Sequence, residues 1–85
     1  MADVIHAPDR SRFEAGAAYL SYARTGDRFD IQHTIVPKDM EGEGVGGELV
    51  RAAVKYARDE GLELIVTCPF ARRYLAKHPD VLGGE

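Results

Sequence analysis

Four glycines fall within six residues, in the run Glu41-Gly42-Glu43-Gly44-Val45-Gly46-Gly47, and the residues that follow take up a helical period. Glycine tolerates left-handed backbone and lets main-chain amides approach a ligand closely, while the first turn of a helix presents unpaired N–H groups and a positive dipole end. That combination suits an anion, a phosphate above all. A tight strand-to-helix turn without a ligand is the plainer alternative, but it seldom needs so many glycines. Cys68 directly precedes Pro69, a residue suited to the first position of a helix. Helix-start dipoles favour a thiolate there, so Cys68 is a reasonable nucleophile; a small buried filler is the alternative. His33 has the right ionisation range for a general base, yet it alternates with apolar residues, which favours a hydrogen-bonded core histidine.

These groups must be positioned by a few elements. Arg12-Phe13-Glu14 and residues 17–24 read as extended, joined through Gly16, with Tyr19, Leu20 and Tyr22 supplying strand-favouring bulk. Thr25-Gly26-Asp27 is a turn. Residues 28–36 alternate, with Phe29, Ile31, His33 and Ile35 expected on one face and Asp30, Gln32, Thr34 and Val36 on the other, until Pro37 stops the strand. From Val45 the apolar residues Val45, Leu49, Ala52, Ala53 and Tyr56 form one stripe of an amphipathic helix, opposite Glu48, Arg51, Lys55, Arg58 and Asp59. Gly61 suits the position just past that helix, and residues 62–68 return to strand character. Residues 70–77 form a short helix that ends at His78-Pro79.

The expected order is therefore β-β-β-α-β-α in a mixed α/β (α+β) domain. The strand at 28–36, the helix and the strand at 62–68 form one parallel, right-handed βαβ crossover. One domain over residues 1–85 is expected, with residues 1–11 and 80–85 loose.

Leu, Ile, Val and Phe supply 20 of the 85 residues, enough for a small packed core. A net charge of −3 gives no reason to expect a nucleic-acid partner. A single cysteine excludes an internal disulfide and fits a reducing, cytoplasmic setting. The first eleven residues hold no apolar run of the kind a secretory signal needs, and the longest aliphatic stretch, Leu64-Ile65-Val66, is far too short to cross a membrane. His6, His33, His78 and Cys68 lack metal-site spacing, so no metal is expected. His78 reads as a donor to helix-end carbonyls, and no role is assigned to His6.

The nucleotide P-loop is excluded, because no Gly-Lys-Ser or Gly-Lys-Thr follows the glycines. The dinucleotide pattern Gly42-x-Gly44-x-x-Gly47 matches literally, but too few elements follow it for a doubly wound sheet. The segments HTIVP (33–37), GEGVGGELV (42–50), AVKYARDEGLELIVTCPF (53–70) and YLAKHP (74–79) together resemble the small, single-domain acetyltransferase-like family of the GNAT superfamily. The resemblance covers residues 33–79 directly and the preceding strands more loosely. One departure is Glu41, where the wider superfamily carries Gln or Arg, and it brings a like charge to an anion site.

That resemblance implies a minimal GNAT-like fold and acetyl-CoA as co-substrate. Its pantetheine arm would run along the strand end at Thr34, Ile35 and Val36, its pyrophosphate on the amides of Gly42, Gly44, Val45, Gly46 and Gly47, with Phe70 beside it. Arg51, Lys55, Arg72 and Arg73 are candidate partners for its phosphates, although long cations usually just cover helices. Tyr74, four residues after Phe70, could protonate the departing CoA thiolate or simply pack. The implied activity is transfer of an acetyl group to an amine: a protein N-terminus, a lysine or a polyamine. An acyl-CoA-binding regulatory or interaction protein is the rival, because the elements that build an acceptor pocket in longer relatives are missing. A free sheet edge also allows a homodimer.

Overall fold

The computed structural model describes residues 3–83. Five strands, β1 (Ile5–Ala7), β2 (Arg12–Ala15), β3 (Ala18–Thr25), β4 (Arg28–Ile35) and β5 (Glu63–Val66), lie side by side in chain order in one sheet. Neighbours run antiparallel except β4 and β5, which are parallel because helix α1 (Val45–Asp59) carries the chain back between them. Helices α2 (Pro69–Lys77) and α3 (Pro79–Gly83) close the chain. None of the described helices is long and apolar enough to cross a membrane.

The expected mixed α/β architecture and its parallel crossover are present. The chain start corrects one expectation. Residues 5–11 are not loose, since β1 pairs with β2 through Ile5↔Glu14, His6↔Phe13 and Ala7↔Arg12, and a 3-10 turn, Pro8–Arg10, joins them; residues 1 and 2 lie outside the described residues. His6 is what a three-residue strand needs to hold an edge. Its ring stacks on Phe13 at 4.2 Å, its Nε2 lies 2.7 Å from the Tyr22 hydroxyl, and Tyr56 of α1 closes over it. The tail is likewise ordered through α3, whose Val81 is buried and whose Val81 carbonyl accepts a hydrogen bond from Arg58. Residues 84 and 85 lie outside the described residues.

One sheet face carries the core. Phe13, Leu20, Tyr22, Phe29 and Ile31 point to it and meet Leu49, Val50, Ala53, Val54 and Ala57 of α1, Ala71 and Leu75 of α2, and Val81. Helix α1 ends in a full glycine cap: Gly61 has φ +68°, its N–H donates to the Arg58 carbonyl, and Leu62 N–H donates to the Ala57 carbonyl at 2.8 Å.

The alternation expected along β4 breaks at Gln32. Tyr22 pairs with Ile31 but Ser21 pairs with His33, so Gln32 is an extra residue, a β-bulge. A bulge exchanges the faces of everything beyond it. Thr34, opposite buried Leu20, therefore looks toward the helices, whereas His33 and Ile35 turn to the uncovered face and are exposed, Ile35 at 45%. His33 is not a core residue, and neither is Ile35. Pairing of β4 with β5 also ends at Ile31↔Val66, where the N–H groups of Thr67 and Cys68 both donate to the Ile31 carbonyl. Beyond that point β4 continues over residues 32–35 with no β5 partner, and the two strands part.

Candidate functional site

A cleft of about 530 Å³ opens where these strands part. Its floor and one wall are Thr34 and Val36 at the end of β4, with Met40 from the 3-10 turn Lys38–Met40. The start of α1 forms the second wall, through Gly42, Gly44, Val45, Gly46 and Gly47, and α2 supplies the third, Phe70 and Tyr74. Glu41 stands at the lining's edge, exposed.

The four glycines divide into two kinds. Gly42 and Gly44 have φ +86° and +79° with open space where a side chain would go, so they serve the backbone path; Gly44 is the N-cap of α1. Gly46 and Gly47 have ordinary helical backbone and are needed for packing. A Cβ on Gly46 would lie 2.8 Å from Phe70 Cζ, and one on Gly47 would lie 2.5 Å from Tyr74 Cε1. Two rings spaced four apart on α2 thus sit directly on two bare positions of α1. The first bond inside α1 is Glu48 N–H to the Gly44 carbonyl, so the amides of Val45, Gly46 and Gly47 have no acceptor within the helix, and no side chain caps them. These donors and the dipole end front the cleft.

Tyr74 is held on several sides. Arg51 Nε donates to its hydroxyl at 2.7 Å, and the His78 ring lies 4.4 Å from its own. The His78 N–H also donates to the Tyr74 and Leu75 carbonyls at the end of α2. Cys68 is the N-cap of α2 but does not reach the cleft; it is 4% exposed and its thiol donates to the Thr34 hydroxyl at 3.5 Å, behind the wall. Of the four candidate phosphate partners, Arg51 is committed to Tyr74, Lys55 pairs with Asp59 at 2.7 Å, and Arg72 and Arg73 are exposed on α2. The Lys55 hydrogen bond holds the Asp59 carboxyl below the usual range.

The structure therefore brings together Thr34, Val36, the five loop residues from Gly42 to Gly47, Phe70 and Tyr74. It leaves out Ile35, His33 and Cys68. Met40 is a lining residue that sequence reading missed; an apolar side chain between Pro37 and the glycines was its only signal in the sequence.

A family model described as GCN5-related N-acetyl-transferase matches residues 10–83. The chain belongs to that family. Within this GCN5-related N-acetyltransferase family it is similar to Protein NATD1 of Homo sapiens and of Gallus gallus, each 35% identical over 63 residues. Those 63 residues are 73% of this chain but 56% and 57% of the two relatives. The chain thus matches little more than half the length of these relatives. A GCN5-like protein from Staphylococcus aureus, solved by NMR, has the same fold: the TM-score is 0.75 at 28% identity, over 94% of this chain and 83% of that one.

Proposed function

We propose that the protein binds acetyl-CoA in this cleft and transfers the acetyl group to an amine. The observation that carries the reading is the free α1 amide end meeting, in a single cleft, the end of β4 that has no β5 partner. The residues fit the co-substrate. Amides of Val45, Gly46 and Gly47 suit a pyrophosphate, Val36, Met40 and Phe70 offer an apolar wall to a pantetheine arm, and the strand edge offers backbone groups to its amides. Glu41 opposes phosphate binding by its charge without removing those donors.

The chemistry asked of the chain is small. The amine nitrogen bonds to the thioester carbon as the carbon–sulfur bond breaks, the amine gives up a proton, and the thiolate takes one. Tyr74 O–H is the donor for the thiolate. The bulge turns His33 out of the cleft onto the uncovered sheet face, so the proton of an amine that arrives from that side passes to water. That side is open, which suits an extended acceptor such as a lysine, a protein N-terminus or a polyamine. Burial of Cys68 favours direct attack over an acyl-Cys68 step.

A second reading, acyl-CoA binding for regulation or protein interaction without transfer, is favoured by the same bulge, which turns His33 away from the cleft. Acetyl-CoA incubated with spermidine and with a lysine peptide separates the two. Amine-dependent release of CoA, with an acetyl increment on the amine and undiminished in Cys68→Ala, is expected for direct transfer. Saturable CoA binding with no acetylated amine would establish the second reading instead.

A further inference from the structure

We infer that Arg51 is a positioning residue for the Tyr74 hydroxyl, and that Gly47 and Arg51 together make the seat that aims this hydroxyl into the cleft. The two lie four apart on α1, on one face a single turn from each other. Gly47 leaves room for the Tyr74 ring, whose Cε1 lies where a Cβ would come within 2.5 Å. One turn on, Arg51 Nε donates to the hydroxyl oxygen at 2.7 Å. His78 holds the ring's other side at 4.4 Å, and Phe70 occupies the matching place on Gly46.

The direction of the hydrogen bond has a consequence. A guanidinium has only donors, so in this pair the tyrosine oxygen accepts, and its single proton is left to point elsewhere. Tyr74 lines the cleft, so the cavity is open to that proton. Arg51 thereby sets Tyr74 as a donor to whatever occupies the cleft. This bond uses one of its five N–H groups, and the CoA titration of Arg51→Met reads whether the others also hold a phosphate. The assignment rests on the transfer reading only for what the proton is used for; the seat itself is independent of it.

The test uses the full chain labelled with [ζ-¹³C]tyrosine, as wild type, Arg51→Met, Arg51→Lys, Tyr74→Phe and Arg51→Met/Tyr74→Phe, with CoA titrations and acetyl transfer to spermidine. In Arg51→Met the Tyr74 resonance moves while those of Tyr19, Tyr22 and Tyr56 stay, and Arg51→Lys, which keeps a donor, restores most of it. CoA affinity in Arg51→Met stays within about twofold of wild type. The transfer rate at saturating acetyl-CoA falls about tenfold, and the double variant falls no further than Tyr74→Phe, as expected when one residue acts through the other. An unmoved Tyr74 resonance, or a loss of CoA affinity of about tenfold or more in Arg51→Met, overturns the assignment. If wild type binds CoA but acetylates nothing, the transfer reading fails alone, and the resonance and the affinity still decide the role of Arg51.

Discussion

The two ends of α1 carry the same pair of side chains in different settings. Toward the C-terminal end Arg24 donates to the hydroxyl of Tyr56 at 2.7 Å; Tyr74 packs on Gly47 at the N-terminal end, and Arg51 from mid-helix donates to its hydroxyl at the same distance. Tyr56 is packed among His6, Phe13, Tyr22 and Phe29, with ring centroids between 4.6 and 6.5 Å, and it seals the core beneath β1. Tyr74 has glycine beneath it, one histidine on one side and a cleft on another. An arginine–tyrosine hydrogen bond therefore says little by itself. What surrounds it decides whether the hydroxyl finishes a core or faces a ligand.

The comparison breaks first under truncation of the two tyrosines. Tyr56→Ala removes a ring that four aromatic neighbours touch and is expected to cost about 3 kcal/mol in urea unfolding, with CoA affinity unchanged in the folded fraction. Tyr74→Ala should cost less stability and lose transfer instead. Equal stability losses with no effect on transfer would make the two ends alike.

Gly47→Ala sharpens the contrast from the backbone side. The added methyl forces the Tyr74 ring aside and is expected to cost about 1–3 kcal/mol together with a drop in CoA affinity. In a Tyr74→Ala background the same change should be nearly free. A cost that persists without the ring would mean that Gly47 answers to the helix and not to Tyr74.

A smaller effect follows from His6. Burial pushes its imidazole below the ordinary 6.5, so below that pH the unfolded chain takes up a proton that the folded chain resists. The stability due to neutral His6 is complete above about 6.5 and is lost as the pH falls through that value and below it. Melting curves between about pH 8 and pH 5 should show the decline, and His6→Asn should flatten it. The smallest effect belongs to Asp59: its carboxyl is exposed and held down by Lys55, so Asp59→Asn is expected to leave CoA affinity unchanged.

Much of this arrangement is written in local pattern. The helix from Val45, the cap at Gly61 and the proline start of α2 each depend on near neighbours and are where the spacing puts them, although the buried stripe of α1 also takes in Val50, Val54 and Ala57 and leaves Ala52 and Tyr56 half-buried. Four features depend on distant partners and leave no such trace. Unbroken alternation through Phe29, Ile31, His33 and Ile35 hides the bulge at Gln32, because nothing in β4 alone records that Ser21 pairs with His33. His6 looks idle until Phe13, Tyr22 and Tyr56 close around it. Four clustered glycines look alike, yet two serve backbone conformation and two make room for rings that lie 24 and 27 residues later, Phe70 and Tyr74. Cys68 is drawn behind the cleft by its bond to Thr34, a contact across 34 residues.

Calorimetric titration of acetyl-CoA into the wild-type protein, with NAD in parallel, tests most directly that the glycine end of α1 is an acyl-CoA site. Saturable one-to-one binding of acetyl-CoA with no heat from NAD is the expected result. Absence of acetyl-CoA binding under reducing conditions would contradict it, and the cleft between β4, α1 and α2 would then need another occupant.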